Sequence, residues 1–269
     1  MMTTFKSRTF PNITNETAIA FIGLYCMAVV MGYGRFLFTA TLPDIMMQMS
    51  ISTTIAGWLA SINYIGYFIG ALIAMFVPQR STWQALTLWA IISVVTTMLL
   101  VIPNMSLTLW YIIRLIAGLA SGVAMILSSS FVIQSLSPER RSVLSAVHYA
   151  GIGVGISASA ILTWWLLILG YHFDVIWLVA GLSSLPLLWL LWAIKPVSPK
   201  SSESHVVHQH LSMHQTYVNF KRALYEAIAG HRKAITLLSA SYVLAGFGYI
   251  TSATFLPVMA AQRLTTQTY

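Results

Sequence analysis

The sequence predicts an all-α protein that crosses a membrane seven times. Only 7% of its 269 residues are charged, 58% are hydrophobic and the mean hydropathy is +0.79, whereas soluble domains carry about 25% charged residues. Seven apolar stretches are also long enough for a transmembrane helix, which needs roughly 20 residues. These observations exclude a soluble globule and a nucleic-acid-binding domain, and they make the lipid bilayer a partner. The single cysteine, Cys26, excludes a disulfide framework.

The predicted spans are separated mostly by short loops. Their apolar residues occupy both parities of the chain, which argues against the alternating pattern of barrel strands. The spans are Ala18–Pro43, Ala56–Val77, Trp83–Ile102, Leu107–Val132, Val143–Ile168, Val175–Ile194 and Ala234–Met259.

The Lys and Arg residues predict the orientation. With the N-terminus inside, eleven of the fourteen basic residues fall on the inner side and only Arg263 falls outside. Inner loops of membrane proteins carry this excess, so we expect a cytoplasmic N-terminus.

The chain divides into five predicted segments. They are a cytoplasmic tail (1–17), a six-helix bundle (18–194), a basic cytoplasmic linker (195–233), a seventh transmembrane helix (234–261) and a polar tail (262–269). Within the linker, Phe220, Leu224 and Ile228 form an apolar stripe beside basic residues. That stripe predicts a short helix on the inner membrane surface, with a plain basic linker as the alternative.

Four histidines cluster in the same linker, but they do not predict a metal site. Only Glu203 accompanies them as a second-shell acid, and no fixed element holds them together. We therefore expect no metal and no cofactor. The histidines are His205, His208, His210 and His214.

An internal repeat links the first and seventh spans. Gly32, Gly34, Leu42 and Pro43 recur as Gly246, Gly248, Leu256 and Pro257 at a constant offset of 214 residues. Six helices, a basic inner loop and a second copy of helix one predict a protein with two parallel six-helix halves. On this interpretation the chain is C-terminally truncated, with most of the second half missing. A seven-span protein is the alternative.

The sequence resembles the major facilitator superfamily, and within it the YbfB/YjiJ-type branch of bacterial transporters. The resembling segments cover nearly the whole chain and lie at residues 32–43, 56–67, 114–122 and 148–155. The resemblance implies a six-helix bundle followed by the first helix of a second half, and a location in the bacterial cytoplasmic (inner) membrane. The loop after the second span lacks the superfamily's gating signature, and the fifth span lacks a Gly-Pro pair. Both departures argue against a multidrug exporter.

Arg35 and Arg114 are the strongest candidates for binding a substrate. Each lies inside a span, where a charge costs at least ~2.5–3.5 kcal/mol. Counting 1.5 Å per residue places them about 12 Å and 10 Å below the outer face, and both spans line the central cavity of the resembled fold. Because no acidic residue lies within a predicted span, the pair suggests a site for a carboxylate or phosphate group. The alternative is that each arginine bonds backbone carbonyls or reaches outward to the membrane surface.

Other polar residues in the spans are weaker candidates. Substrate contact or helix pairing is open for Tyr33, Asn63, Tyr64, Tyr111 and Tyr249. His148 is a candidate proton relay, because histidine titrates near neutral pH, although a bond to a neighbouring helix is the more common role.

Pairs of small residues four apart predict close helix packing, or sliding contacts in a moving transporter. They are Gly66 and Gly70, Gly118 and Gly122, and Gly151 and Gly155.

These features together predict a secondary active transporter of a small solute, with an organic anion as the candidate class, working by alternating access. The alternative is a non-transporting half-molecule, or a seven-helix protein that needs a partner chain. A retinal protein is disfavoured because the seventh span has no lysine. A membrane enzyme is disfavoured because no pair of intramembrane acids or histidines exists.

Overall fold

Seven long apolar helical stretches make up the molecule. A computed structural model describes residues 15–102, 105–193 and 213–266, and these residues contain no β-strand. The seven stretches long and apolar enough to cross a membrane are Glu16–Gln48, Thr53–Ala74, Gln79–Leu99, Leu107–Gln134, Pro138–Ile168, Phe173–Trp192 and His231–Ala260. They confirm the predicted number of spans and the all-α class.

The helices follow in chain order with short connections. The α-helices are α1 (Asn15–Met27), α2 (Leu37–Gln48), α3 (Thr53–Ala74), α4 (Thr82–Leu99), α5 (Leu107–Gln134), α6 (Pro138–Ile168), α7 (Phe173–Ala193) and α8 (Met213–Thr266). A π-helix, Ala28–Phe36, joins α1 to α2, and a 3₁₀ turn, Gln79–Ser81, precedes α4. Ser52 and Ser106 start α3 and α5 by accepting hydrogen bonds from the backbone N–H groups three residues on.

The first span differs from the simple helix that its apolar run suggests. Its central nine residues are wound as a π-helix, in which the Leu37 N–H donates to the Gly32 carbonyl five residues back. The helix then continues through Pro43 to Gln48, whereas we predicted an end at Pro43. Membrane helices tolerate an internal proline because neighbouring groups satisfy the freed carbonyl.

Glycines bring α3 and α5 into backbone contact. A Cβ atom at Gly118 would lie 2.0 Å from the Asn63 carbonyl oxygen, and one at Gly122 would lie 2.3 Å from that of Tyr67. In return, Gly66 and Gly70 face the carbonyls of residues 115 and 119 on α5. These glycines let the backbones approach more closely than any larger residue allows.

A second glycine crossing joins the first span to α6. Gly151 faces the Leu24 carbonyl and Gly155 faces Ala28, so that a Cβ at Gly32 would lie 2.5 Å from the Gly155 Cα. The tight crossing therefore lies in the π-helix, at Ala28 and Gly32, and Arg35 follows in the last turn of the same π-helix.

Asp44 connects two helices at one end of the bundle, which is predicted to be the outer end. Its carboxylate accepts from the Phe173 backbone N–H at 2.6 Å, which caps α7, and lies 3.1 Å from His172 Nδ1. The preceding helix α6 ends at Ile168, and Gly170 in the turn that follows has a φ of 82°, which suits glycine. Asp44 thus ties the first span to the start of α7.

Replacing Asp44 by alanine should lower the melting temperature by about 3–6 °C. The change removes a charged cap, worth about 1–2 kcal/mol at a helix N-terminus. Reaction of the buried Cys26 thiol with a maleimide dye during heating measures unfolding. Asp174→Ala, at an exposed position in the first turn of α7, is the control and should shift the midpoint by less than half as much. Equal shifts would contradict the capping role.

Helix α8 consists of two parts separated by a kink at His231. The first part, from Met213, includes the helix predicted around residues 218–231. The second part contains the seventh span and continues to Thr266, so helix extends into the polar tail predicted from residue 262. The seventh span contacts the bundle mainly at α2, and most of its side chains from Arg232 to Tyr249 are exposed.

Candidate functional site

Arg35 is held inside the bundle by aromatic rings. Its guanidinium carbon lies 4.7 Å from the centre of the Tyr64 ring, 4.6 Å from that of Tyr67 and 5.3 Å from that of Phe36. Such contacts stabilise a cation that lacks full hydration. The side chain is half-buried, and its buried Nε has no hydrogen-bond partner among the described residues.

Arg114 is more deeply buried, with 2% of its surface exposed. Its guanidinium carbon lies 4.1 Å from the centre of the Phe38 ring, and Nε donates to the Leu59 carbonyl at 3.3 Å. Its Nη1 has no hydrogen-bond partner within the described part of the chain. The arginine therefore connects α5 to α2 and α3 and keeps an unused donor.

Asn63 and Tyr64 are adjacent on α3, and each contacts one of the two arginines. Asn63 Nδ2 donates to the Arg114 carbonyl at 2.9 Å, and its Oδ1 is buried without a described partner. Tyr64 contacts Arg35 through its ring. The two arginines and these residues form one group, which we call the arginine site.

The charge of the arginine site is unbalanced. In the described ranges no carboxylate pairs with either arginine; the ion pairs found there join Glu16 to Arg140 and Asp44 to His172. Two cations in a low-dielectric region raise each other's energy, and an anion lowers both. The partly accessible guanidinium of Arg35 has the planar donors that suit a carboxylate or phosphate group.

The structure brings together only some of the predicted polar candidates. Tyr33, Tyr64 and Tyr111 are partly buried against the apolar core that contains Phe38 and Trp110. Tyr249, in contrast, is 57% exposed, and neither arginine contacts it through a hydrogen bond or ring contact between described residues. Its sequence position matches Arg35 in the repeat, but its surroundings do not.

His148 is fully buried on α6, and none of the contacts described for it involves a residue that contacts the arginines. Its Nε2 lies 3.4 Å from Ser129 Oγ, and its ring lies 4.9 Å from that of Tyr149. Gly23 leaves room for the imidazole, since a Cβ there would lie 2.5 Å from Nδ1. A cavity of about 40 Å³, lined in part by Gly23, is almost wholly apolar.

Most of the linker histidines fall outside the part of the chain that the structure describes. His205, His208 and His210 lie outside the described residues, and His214 lies in the first turn of α8 without a described side chain. Within the described chain, no three metal-ligating residues come together.

Sequence reasoning missed Phe36, Phe38, Tyr67 and Thr254. Tyr67 follows Tyr64 by three residues, a spacing that places both rings on one face of α3, so this pair had a detectable signal. The two phenylalanines lie in an apolar run where no pattern separates them from core residues. Thr254 is 2% exposed and lies 3.2 Å from the Tyr64 hydroxyl, a contact that joins residues 190 positions apart.

One protein-family model matches most of the chain. A model described as "Uncharacterised MFS-type transporter YbfB" matches residues 27–269. A comparison with curated proteins found no match. The matched range includes the π-helix, both arginines and the seventh span. The chain therefore belongs to the YbfB-type family of major facilitator superfamily transporters.

Proposed function

We propose that the protein is a secondary active transporter that binds a small organic anion at the arginine site and moves it by alternating access. Membership of a transporter family supports transport in general. The observation that supports an anion is the pair of buried or half-buried arginines, each with an unpartnered nitrogen and neither with a described carboxylate partner. Arg35, which is partly accessible, contacts the anion directly, and the positive charge of the buried Arg114 attracts the anion electrostatically.

A purely structural role for the arginines is the competing explanation. Arg114 does bond the Leu59 carbonyl, as a structural arginine would. A structural role alone leaves Nη1 of Arg114 and Nε of Arg35 unsatisfied, and an unsatisfied buried donor costs about 1–3 kcal/mol, more when it is charged. An anion that approaches the site satisfies donors that the described residues leave free.

Binding distinguishes these explanations without requiring transport. The purified chain in detergent is heated with benzoate, succinate or inorganic phosphate, and Cys26 exposure reports unfolding. An anion at a hundred times its Kd should stabilise the fold by about 2.7 kcal/mol. Neutral benzamide and cationic benzylamine are the matched controls. The same shift for benzamide as for benzoate would contradict an anion site.

His148 remains our candidate for a coupling proton, with the inner membrane of a bacterium as the proposed location. In proteoliposomes, an imposed pH gradient should drive accumulation of the anion that binds. His148→Gln should abolish that accumulation yet leave anion exchange across the membrane, because exchange needs no net proton movement. Gradient-driven uptake that survives the substitution would remove His148 from the pathway.

A chain that transports only with further helices is the second candidate. Exposure of large apolar side chains along the seventh span favours it; Leu237, Tyr242, Leu244 and Phe247 are each at least 70% exposed. In the bilayer these side chains contact either lipid or additional helices. Uptake by liposomes that contain the purified chain alone would contradict this candidate, and binding without uptake would support it.

A further inference from the structure

Tyr64, a member of the arginine site, contacts both Arg35 and the seventh span. The Arg35 guanidinium lies over its ring at 4.7 Å, and its hydroxyl forms a 3.2 Å hydrogen bond with the Thr254 hydroxyl. A phenol is rigid, so a change in the position of the ring also moves the hydroxyl. The two contacts are therefore mechanically connected.

The seventh span docks on the bundle through few contacts. Thr254 and Val258 are buried there, and the Phe255 ring comes within 3.4 Å of the position a Cβ would take at Gly57. Most other side chains between Arg232 and Tyr249 are exposed. The Tyr64–Thr254 hydrogen bond is therefore one of the described contacts that hold this helix to α3, beside its packing against α2.

Arg35 is the charged member of this connection, so an anion bound at the arginine site acts on the connection through its guanidinium. A carboxylate or phosphate forms charge-assisted, bidentate hydrogen bonds with a guanidinium, and these are stronger than the cation–π contact with a tyrosine ring. These bonds use the N–H edge of the guanidinium and the ring contact uses its face, so an anion that binds outside the plane now held over Tyr64 tilts the guanidinium away from the ring.

We propose that Tyr64 couples the arginine site to the seventh span: withdrawal of the Arg35 guanidinium releases the Tyr64 ring, and the hydroxyl then loses Thr254. This rests on the proposed function only for the identity of what withdraws Arg35. Coupling between two sites in proteins usually amounts to about 5- to 150-fold, and a single hydroxyl pair belongs at the lower end of that range.

The test needs no solute, because substitution of Arg35 removes the guanidinium directly. Gly57→Cys and Phe255→Cys are introduced into the full chain in a Cys26→Ser background, and the rate at which a short bis-maleimide, which alkylates both thiols, crosslinks them measures docking. We expect Arg35→Gln and Tyr64→Phe each to lower this rate about fivefold. The rate of the double variant, Arg35→Gln with Tyr64→Phe, should lie within about twofold of the rate of Tyr64→Phe alone, because both changes break the same connection.

Tyr67→Phe is the matched control. The Tyr67 ring also lies against Arg35, at 4.6 Å, but its hydroxyl donates to the Met125 sulfur on α5, and no hydrogen bond joins it to the seventh span among the described residues. This variant should crosslink at the wild-type rate, whereas Thr254→Val should behave like Tyr64→Phe.

Two results would overturn the proposal. One is an unchanged crosslinking rate in Arg35→Gln; the other is a double variant whose loss equals the product of the two single losses, which would make Tyr64 a simple tie between helices. Arg35→Met, an apolar chain of similar length, replaces Arg35→Gln if the latter does not fold. Failure of anion binding leaves these outcomes unaffected, so the two proposals fail separately.

Discussion

A methyl group added at Gly118 should lower the melting temperature of the folded chain by about 6–12 °C. In the present structure the new Cβ would lie 2.0 Å from the Asn63 carbonyl oxygen and 2.8 Å from the carbonyl carbon. Both are backbone atoms in the middle of α3, so no side chain can rotate to make room. Overpacking usually costs 1–3 kcal/mol, and separating these helices adds the loss of the Asn63–Arg114 hydrogen bond, which justifies the upper part of that range.

Gly153→Ala is the control for the Gly118 prediction. Gly153 lies in α6, it is exposed, and nothing lies within 4 Å of the position of its Cβ. Alanine is the better helix former by about 1 kcal/mol, so this substitution should leave the midpoint unchanged or raise it. The midpoint is read from the exposure of Cys26. Equal effects of the two substitutions would show that the α3–α5 crossing does not depend on glycine.

Neutralising Arg35 should weaken anion binding about 10- to 100-fold while the protein stays folded. A hydrogen bond to a charged group contributes about 1.5–3 kcal/mol, and each 1.4 kcal/mol changes the affinity tenfold. The measurement is the apparent Kd for whichever of benzoate, succinate and phosphate the wild-type chain binds most tightly. Arg35→Lys should retain part of the affinity, because it keeps the charge but loses the planar donors.

Two further variants separate binding from folding. Arg80→Gln removes the same charge at an exposed loop position and should leave the Kd within twofold of wild type. Arg114→Gln should lower both the affinity and the melting temperature, because Arg114 is 2% exposed and also holds the Leu59 carbonyl. An Arg35→Gln variant with wild-type affinity would exclude Arg35 from the binding site.

The arginines illustrate how far residue patterns predict a membrane site. Their presence inside apolar runs is enough to make them exceptional, because a charge in hydrocarbon requires a partner or water. The identity of that partner was not predictable. Tyr67 and Phe38 contact the guanidinium groups because of the crossing angles of α2, α3 and α5, which depend on packing over the whole bundle.

Tyr249 shows the limit of the repeat argument. It occupies the position equivalent to Arg35 at the constant offset of 214 residues, yet it is 57% exposed while Arg35 is half-buried. Homologous helices share a sequence pattern, but the depth and direction of a side chain depend on the neighbours that surround each copy. Thr254, which no motif marked, makes the contact with α3 instead.

Composition and the length of the apolar runs by themselves determined that this protein is a seven-span helical membrane protein, because only helices satisfy the backbone in lipid. The motifs added its transporter family, which the family comparison confirmed. Only the tertiary structure decided that the part of the first span that contains Arg35 is wound as a π-helix and that aromatic rings hold that arginine. A shift of hydrogen bonds from four to five residues leaves no mark on residue type, and contacts between helices arise from their mutual packing.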